Sequence, residues 1–281
     1  MSTVRHPAAA DFYSGDCRVQ IEQFLRGFYP PESLPEQLIG SLIPHAGWSY
    51  SGSVAARTLY TLSLHSQPET CIIFGTDHTG VSRHALYPGG EWVTPLGLVA
   101  VNEELVERIS RGMGDLVQVS ALAHRQEHAI EVALPMIRYF WPEVAIVPIT
   151  VRPEESALVL GQRVAEIAGR DQIVYIASTD LTHYGWVYNF LPEGRGEKGL
   201  NWLQRNDRKL LQLLLSVQSE LILEETKRHH NACGVGAVMA LTSAFDLFGI
   251  KSGTLIEYKT SHGDAPAEQF EMGVGYAGVV W

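Results

Sequence analysis

CIIFGTDHTG (71–80) and QIVYIASTDLTHYG (172–185) are the stretches on which the fold reading turns. Each holds an apolar run without polar alternation, and each breaks into Thr, Asp and His just beyond it. A strand with one wet face alternates, so runs of this kind suit strands buried on both faces of a sheet. LIGSLIP (38–44), closed by Pro44, and AIVPITV (145–151) read the same way. Between them lie segments with helical spacing: 17–28, 51–64 with Ser51 or Ser53 near its cap, 102–113, 154–168 and most of 201–227. EHAIEVALPMIRYFW (127–141) also reads as a helix, with a kink or shift at Pro135. An alanine-rich helix over 234–249 stops at Gly249, and TLIEYKTS (254–261) and GVGYAGVV (273–280) close the chain as strands. The alternation predicts an α/β protein, a three-layer α/β/α sandwich around a mostly parallel or mixed central sheet. The Gly- and charge-rich loop LPEGRGEKG (191–199) is too short to divide it, so residues 1–281 are expected to form a single domain.

Composition agrees and excludes several classes. The 281 residues are 46% hydrophobic and 19% charged, enough apolar material to bury a full core. The formal net charge of −10 argues against a phosphate-tracking surface, so no nucleic-acid partner is expected. No apolar run approaches the roughly 20 residues of a membrane helix, and MSTVRHPAAADFYSGD lacks the apolar region of a signal peptide. Cys17, Cys71 and Cys233, an odd number spread along the chain, do not make a disulfide framework. A cytoplasmic protein without membrane contact is the expectation.

Ligand crevices of open α/β sheets lie outside the carboxyl ends of the strands. His45 follows the run 38–44 directly, His78 comes three residues after Gly75, and His183 comes five residues after Ser178. Asp77 and Asp180 lie close to the last two. Any one of these histidines could be an ordinary loop residue, but three strand ends that each deliver an imidazole point to a shared site. G-x-S-x-G, H-E-x-x-H and the phosphate-binding glycine motifs are absent, which disfavours a serine hydrolase, a zincin and a dinucleotide enzyme. Cys233, just before the helix 234–249, is a third candidate ligand, since a helix start lowers a thiol's pKa. It could equally be a small buried hydrophobe, the role that Cys17 and Cys71 fit better. Two imidazoles and a thiolate with open positions would suit Fe(II), Zn(II) or copper rather than Mg or Ca. Glu127 and Glu131 read mainly as acidic residues favoured in a first helical turn. Trp48 and Tyr50 could wall a pocket or merely pack.

PHAGWSYSG (44–52), IIFGTDHTG (72–80), EHAIEVALP (127–135), STDLTHYG (178–185) and ACGVGAVMAL (232–241) resemble, in order and spacing, the Memo family. That family is structurally related to class III extradiol ring-cleaving dioxygenases. The resemblance runs from RHPAAADFY (5–13) to YKTSHGD (258–264) and VGYAGVV (274–280). It implies metal ligands at His45, His78 and Cys233, with Asp180 and His183 as further pocket residues. Phe12 and Tyr50 fall where the family places aromatic residues beside the pocket; Trp48, Thr79 and Glu127 complete the expected pocket. Thr79 stands where the family's paired histidine has its second member. Cys233 replaces the dioxygenases' carboxylate ligand, which sets this site apart from ring cleavage. The implied activity is that of a non-haem, Fe(II)-, copper- or zinc-binding oxidoreductase with His183 as general base and Asp180 orienting it or holding its charge. Two alternatives are a binding or redox-assembly protein, taking a small molecule or peptide and working with a radical-SAM partner, and a zinc-dependent hydrolase.

Overall fold

The computed structural model describes residues 4–13, 15–80 and 83–281. Its strands are β1 (Val4–Arg5), β2 (Gly40–Ile43), β3 (Thr70–Thr76), β4 (Ala85–Leu86), β5 (Glu91–Thr94) and β6 (Gly97–Ala100), then β7 (Gln118–Val119), β8 (Ala145–Val151), β9 (Ile173–Ser178), β10 (His183–Tyr184), β11 (Thr254–Thr260) and β12 (Gly273–Val280). The helices are α1 (Cys17–Leu25), α2 (Trp48–His65), α3 (Glu103–Met113), α4 (Ala121–His124), α5 (Leu134–Phe140), α6 (Ser156–Ala168), α7 (Gly196–Leu215), α8 (Ser219–His229) and α9 (Val235–Leu247).

Parallel pairing joins β2, β9, β3 and β8 in that spatial order, with Gly40 opposite Tyr175, Thr70 opposite Ile173 and Thr70 opposite Ala145. These strands are buried almost without interruption. That is why their sequences lack alternation. Antiparallel strands flank them, β12 beside β2 and β4 beside β8. The result is a nine-stranded mixed sheet, with β11 against β12 and β7 beyond β4. α1, α2 and α5 pack together on one face; α3, α6, α8 and α9 pack in series on the other. This is the expected three-layer α/β arrangement. A three-stranded sheet, β1–β5–β6, adds to it beside β8 and α5.

Glycines set the closest approaches. A Cβ on Gly161 of α6 would run into the Ala240 carbonyl of α9, so the alanine-rich helix is clasped at backbone distance. Such contact excludes any larger residue there. Among the described residues, no helix is long and apolar enough to cross a membrane. Cys17 and Cys71 are fully buried in the main core.

Three local expectations need correction. α2 begins at Trp48 with Gly47 as its cap, so Ser51 and Ser53 lie inside the helix. Residues 127–130 are not helical; a single 3-10 turn, Glu131–Ala133, leads into the short helix α5, where Pro135 sits in the first turn. Proline is tolerated there because that N–H lacks a helical partner. The stretch 201–227 is two helices, α7 and α8, parted by a turn through Val217.

Candidate metal centre

Because β2, β9 and β3 are neighbours and parallel, their carboxyl ends open at one place. His45 lies two residues beyond β2, His78 two beyond β3, and Asp180 two beyond β9. Cys233 arrives from the opposite helical layer, in the turn between α8 and α9. Two glycines let it do so. A Cβ on Gly234 would sit 2.6 Å from the Ser178 carbonyl, and one on Gly236 would strike the Arg152 backbone. The start of α9 can therefore press against the ends of β9 and β8.

His45, His78 and Cys233 each bring one potential ligand atom within 4.8 Å of the others. The Cys233 Sγ lies 3.2 Å from His45 Nε2. Hydrogen bonds behind the rings fix which nitrogen faces the centre. The Ser178 hydroxyl donates to the Ala129 carbonyl at 2.6 Å, so its oxygen accepts from His45 Nδ1 at 2.9 Å. With the Nδ1 proton so engaged, the neutral ring turns the Nε2 lone pair towards Sγ. His78 Nδ1 donates to Glu127 Oε1 at 2.9 Å, which leaves its Nε2 as the lone-pair nitrogen. Carboxylate–histidine and carbonyl–hydroxyl–histidine relays of this kind orient metal ligands. Burial, with His78 and His128 close by, holds the His45 pKa well below its ordinary value, so that ring stays neutral.

Cys233 behaves differently from expectation. It lies just before Gly234, the cap of α9, as expected, but its acidity does not follow from that position. Burial, reinforced by the Asp180 charge, pushes its thiol up to about 12, against the lowering contribution of the Asp180 N–H. That N–H donates to Sγ at 3.3 Å and would support a thiolate once a cation is present. The donor set thus fits a borderline or soft transition metal: two imidazole nitrogens and a sulfur with a hydrogen-bond donor in place.

Asp180 is buried and accepts the His45 N–H at 2.9 Å and the Ala46 N–H at 3.3 Å. Its hydrogen bonds therefore clasp the turn after β2; it does not orient His183 through a hydrogen bond. Burial raises its carboxyl pKa, opposed by the nearby His183. His183 is held otherwise: Nδ1 donates to the Leu181 carbonyl at 3.1 Å, and the ring meets Tyr188 edge-on at 5.0 Å. A carbonyl can only accept, so in the neutral ring Nε2 is the free base.

His128 was absent from the sequence-derived set and stands at the centre of the site. Its ring stacks on His78 at 4.5 Å and meets His45 edge-on at 5.4 Å. With His78 and Glu127 it forms a second group of potential ligands among the described residues. Glu127 is no helix-start residue. Its carboxylate receives the His78, His128 and Ala129 N–H groups as well as His78 Nδ1. Burial alone would raise its pKa, but these hydrogen bonds and the electrostatic pull of the His78 ring win and hold it down at about 2. Glu131 binds Arg5 at 2.7 Å and accepts the Ala8 and Ala9 N–H groups and the Tyr13 hydroxyl. It ties down the N-terminal segment, which brings Phe12 to 5.0 Å from His128.

Phe12 and Tyr50 line a cavity of about 490 Å³ together with His128, Asp180, His183 and Tyr276. A second cavity of about 710 Å³ reaches Cys233 and His183 from the α8 side. Trp48 is only 2% exposed, donates its indole N–H to the Val132 carbonyl at 3.0 Å and packs against Tyr13 and Phe24. It is a core residue rather than a pocket wall. Thr79 is exposed, its N–H and hydroxyl both held by Asp77, and it does not take the place of a second histidine. Glu127 backs His78 and lines neither cavity.

The family model described as Memo-like protein matches residues 5–280. A MEMO1 family protein of Pyrococcus abyssi is 36% identical, with 99% of each chain covered. One from Pyrococcus furiosus is 35% identical over 98% of each, and one from Methanococcoides burtonii 31% identical over 99% of each. In fold, the chain is similar to an uncharacterized protein of Escherichia coli K12 whose crystal structure is known. The TM-score is 0.56 at 12% identity, covering 85% of this chain and 99% of that one. Motifs, fold and relatives agree from one end of the sequence to the other, and the chain belongs to the Memo-like protein family.

Proposed function

We propose that this protein is a non-haem metal-dependent oxidoreductase, dioxygenase-like in its use of an open coordination site. His45, His78 and Cys233 would hold one divalent transition metal, Fe(II) foremost, with copper and Zn(II) sharing the donor preference. The observation that carries the reading is directional. Ser178 and Glu127 occupy the Nδ1 sides of two imidazoles, which leaves both Nε2 atoms available; that of His45 lies 3.2 Å from the Cys233 sulfur, and a ring nitrogen of His78 lies within 4.8 Å of both. Bound there, a redox-active ion supplies electron exchange with O₂ and polarises a chelating substrate oxygen.

The chain's own residues supply the rest. His183, anchored through Nδ1, takes a proton from a substrate hydroxyl at Nε2. Asp180 lies close enough to favour the imidazolium that results, the same mutual influence by which His183 opposes the rise in the Asp180 pKa. Phe12, Tyr50 and Tyr276 provide aromatic walls that orient a planar substrate and displace water.

Anaerobic purification followed by elemental analysis, with O₂ uptake measured on catechols, tests the proposal. About one iron or copper per chain, lost in Cys233→Ser and His45→Ala, is expected together with substrate-dependent O₂ consumption. His183→Gln should keep the metal and lose the uptake. Bound zinc with ester hydrolysis and no O₂ uptake would overturn the oxidoreductase reading. So would a metal-loaded protein that is inert to O₂ and binds a radical-SAM partner stoichiometrically.

A further inference from the structure

The 710 Å³ cavity has a character of its own. Leu223, Thr226 and Lys227 line it from one face of α8, at the three- and four-residue spacing of helix neighbours, and His230 lines it from the turn that ends the helix. No acidic residue lines it, although the chain carries 31 acidic residues against 21 basic ones. Nearby acids are engaged elsewhere: Glu224 pairs with Arg228 at 2.6 Å and Glu225 with His229 at 3.4 Å. Among the described residues no carboxylate pairs with Lys227. Phe190 and Val235 supply apolar wall, and Cys233 and His183 are reached from the same space.

The backbone gives a second, independent sign. His230 ends α8 in the left-handed region, φ 50° and ψ 44°, with its N–H on the Thr226 carbonyl. Glycine adopts that conformation without a Cβ penalty and is the usual residue after a helix. Asn189, which lines the same cavity, is also left-handed at φ 51°. Such conformations in non-glycine residues recur at functional sites, and two of the four among the described residues, His230 and Asn189, line this cavity. An imidazole kept at this turn is explained if its ring is used.

We propose that this cavity is the tail subsite for the substrate and takes an elongated apolar molecule that ends in a carboxylate. The carboxylate lies between Lys227 and His230, the body runs along Leu223, Phe190 and Val235, and the reacting end reaches Cys233 and His183. One lysine without a carboxylate partner, beside the His230 ring, matches a monoanion. The identity of the inner end rests on the proposed metal centre; the recognition of the anion does not.

The test is calorimetric titration of the full chain, as purified, with 3-phenylpropanoate and with its uncharged amide. The acid should bind about fivefold more tightly at low salt, the upper end of a solvent-exposed ion pair, and lose most of that preference at high salt. Lys227→Met should bring acid and amide within about twofold of each other, since the ion pair is gone. His230→Gly separates use of the ring from a structural role: the melting temperature should stay or rise while the acid binds more weakly. An acid–amide preference that survives Lys227→Met overturns the proposal, as does unchanged acid affinity in both variants. Elemental analysis of the same samples keeps the two readings apart. A carboxylate preference in a protein that takes up no metal overturns the metal centre alone, and a stoichiometric metal without the preference overturns the tail subsite alone.

Discussion

Glu127→Gln removes one charge and almost no volume, and the arrangement around that carboxylate lets its effect be worked out. Oε2 receives the His78 N–H at 2.6 Å, while Oε1 receives His78 Nδ1, the His128 N–H and the Ala129 N–H, each at 2.9 Å. All four are donors. An amide has one accepting oxygen, so its better orientation puts the carbonyl where Oε1 was and sets the NH₂ against the His78 N–H. Three charge-assisted hydrogen bonds become neutral ones, each weaker by about 1 kcal/mol, and a fourth becomes a donor–donor contact. Relaxation recovers part of this, so the metal-free protein should lose about 2–4 kcal/mol, or a melting temperature roughly 3–7 °C lower for a chain of this size. The substitution also loosens the His78 ring, and loss of a supporting carboxylate typically lowers metal affinity about 10–100-fold. Differential scanning calorimetry of the metal-free protein reads the first effect. Competition with a fluorescent chelator for Co²⁺ reads the second. A variant that melts and binds metal like the wild type would refute the role given to Glu127.

Ser178→Ala leaves the His45 Nδ1–H and the Ala129 carbonyl without their shared hydroxyl; about 1–3 kcal/mol of stability and a measurable part of the metal affinity in the same chelator assay should go with it. Gly275→Ala should be more damaging than an ordinary strand substitution, because its Cβ would strike the Asp207 carboxylate; thermal melting should show a loss of about 1–3 kcal/mol or failure to fold. Asp207 itself is fully buried, with Oδ1 on the Thr182 N–H and Oδ2 on the Tyr258 hydroxyl, and burial raises its pKa to about 7 against the lowering contribution of those bonds. A folded-state value above the ordinary 3.8 means that the native protein keeps a proton the unfolded chain gives up. Its contribution therefore declines as the pH rises from about 4 to about 7, by at most about 4 kcal/mol, and is level above that. Asparagine imitates the protonated form, so Asp207→Asn should flatten that part of the stability–pH profile; an unaltered slope would contradict the assignment.

The central strands were legible because burial on both faces leaves its mark directly in composition: CIIF and IVYIA have no wet face to encode. β4, β7 and the β1–β5–β6 sheet were not, since pieces of two to four residues take their pairing from the rest of the fold. The error at EHAIE has a specific cause. Glu127 and Glu131 have the spacing of a first helical turn, yet the Glu127 side chain accepts the N–H groups of His128 and Ala129, a local competition with helix geometry that spacing cannot reveal. That same misreading hid His128, which follows no strand and so escaped a search based on strand ends. His45, His78 and His183 were found because the carboxyl edge of a parallel sheet is predictable from order alone. The two glycines after Cys233 were visible in the sequence, but their use in letting α9 approach β8 and β9 depends on tertiary contact. Lys227 and His230 carried no signal above that of an ordinary basic helix end.

Titration of the metal-free protein with Co²⁺, followed by absorption spectroscopy, tests the central claim most directly, because a thiolate-to-cobalt charge-transfer band reports the sulfur ligand itself. Cys17 and Cys71 are buried in the core, so the signal belongs to Cys233. The account predicts a band that saturates near one equivalent in the wild type, is absent in Cys233→Ser, and is weakened in His45→Ala and His78→Ala. A wild-type protein without the band, or a band undiminished in Cys233→Ser, would contradict it.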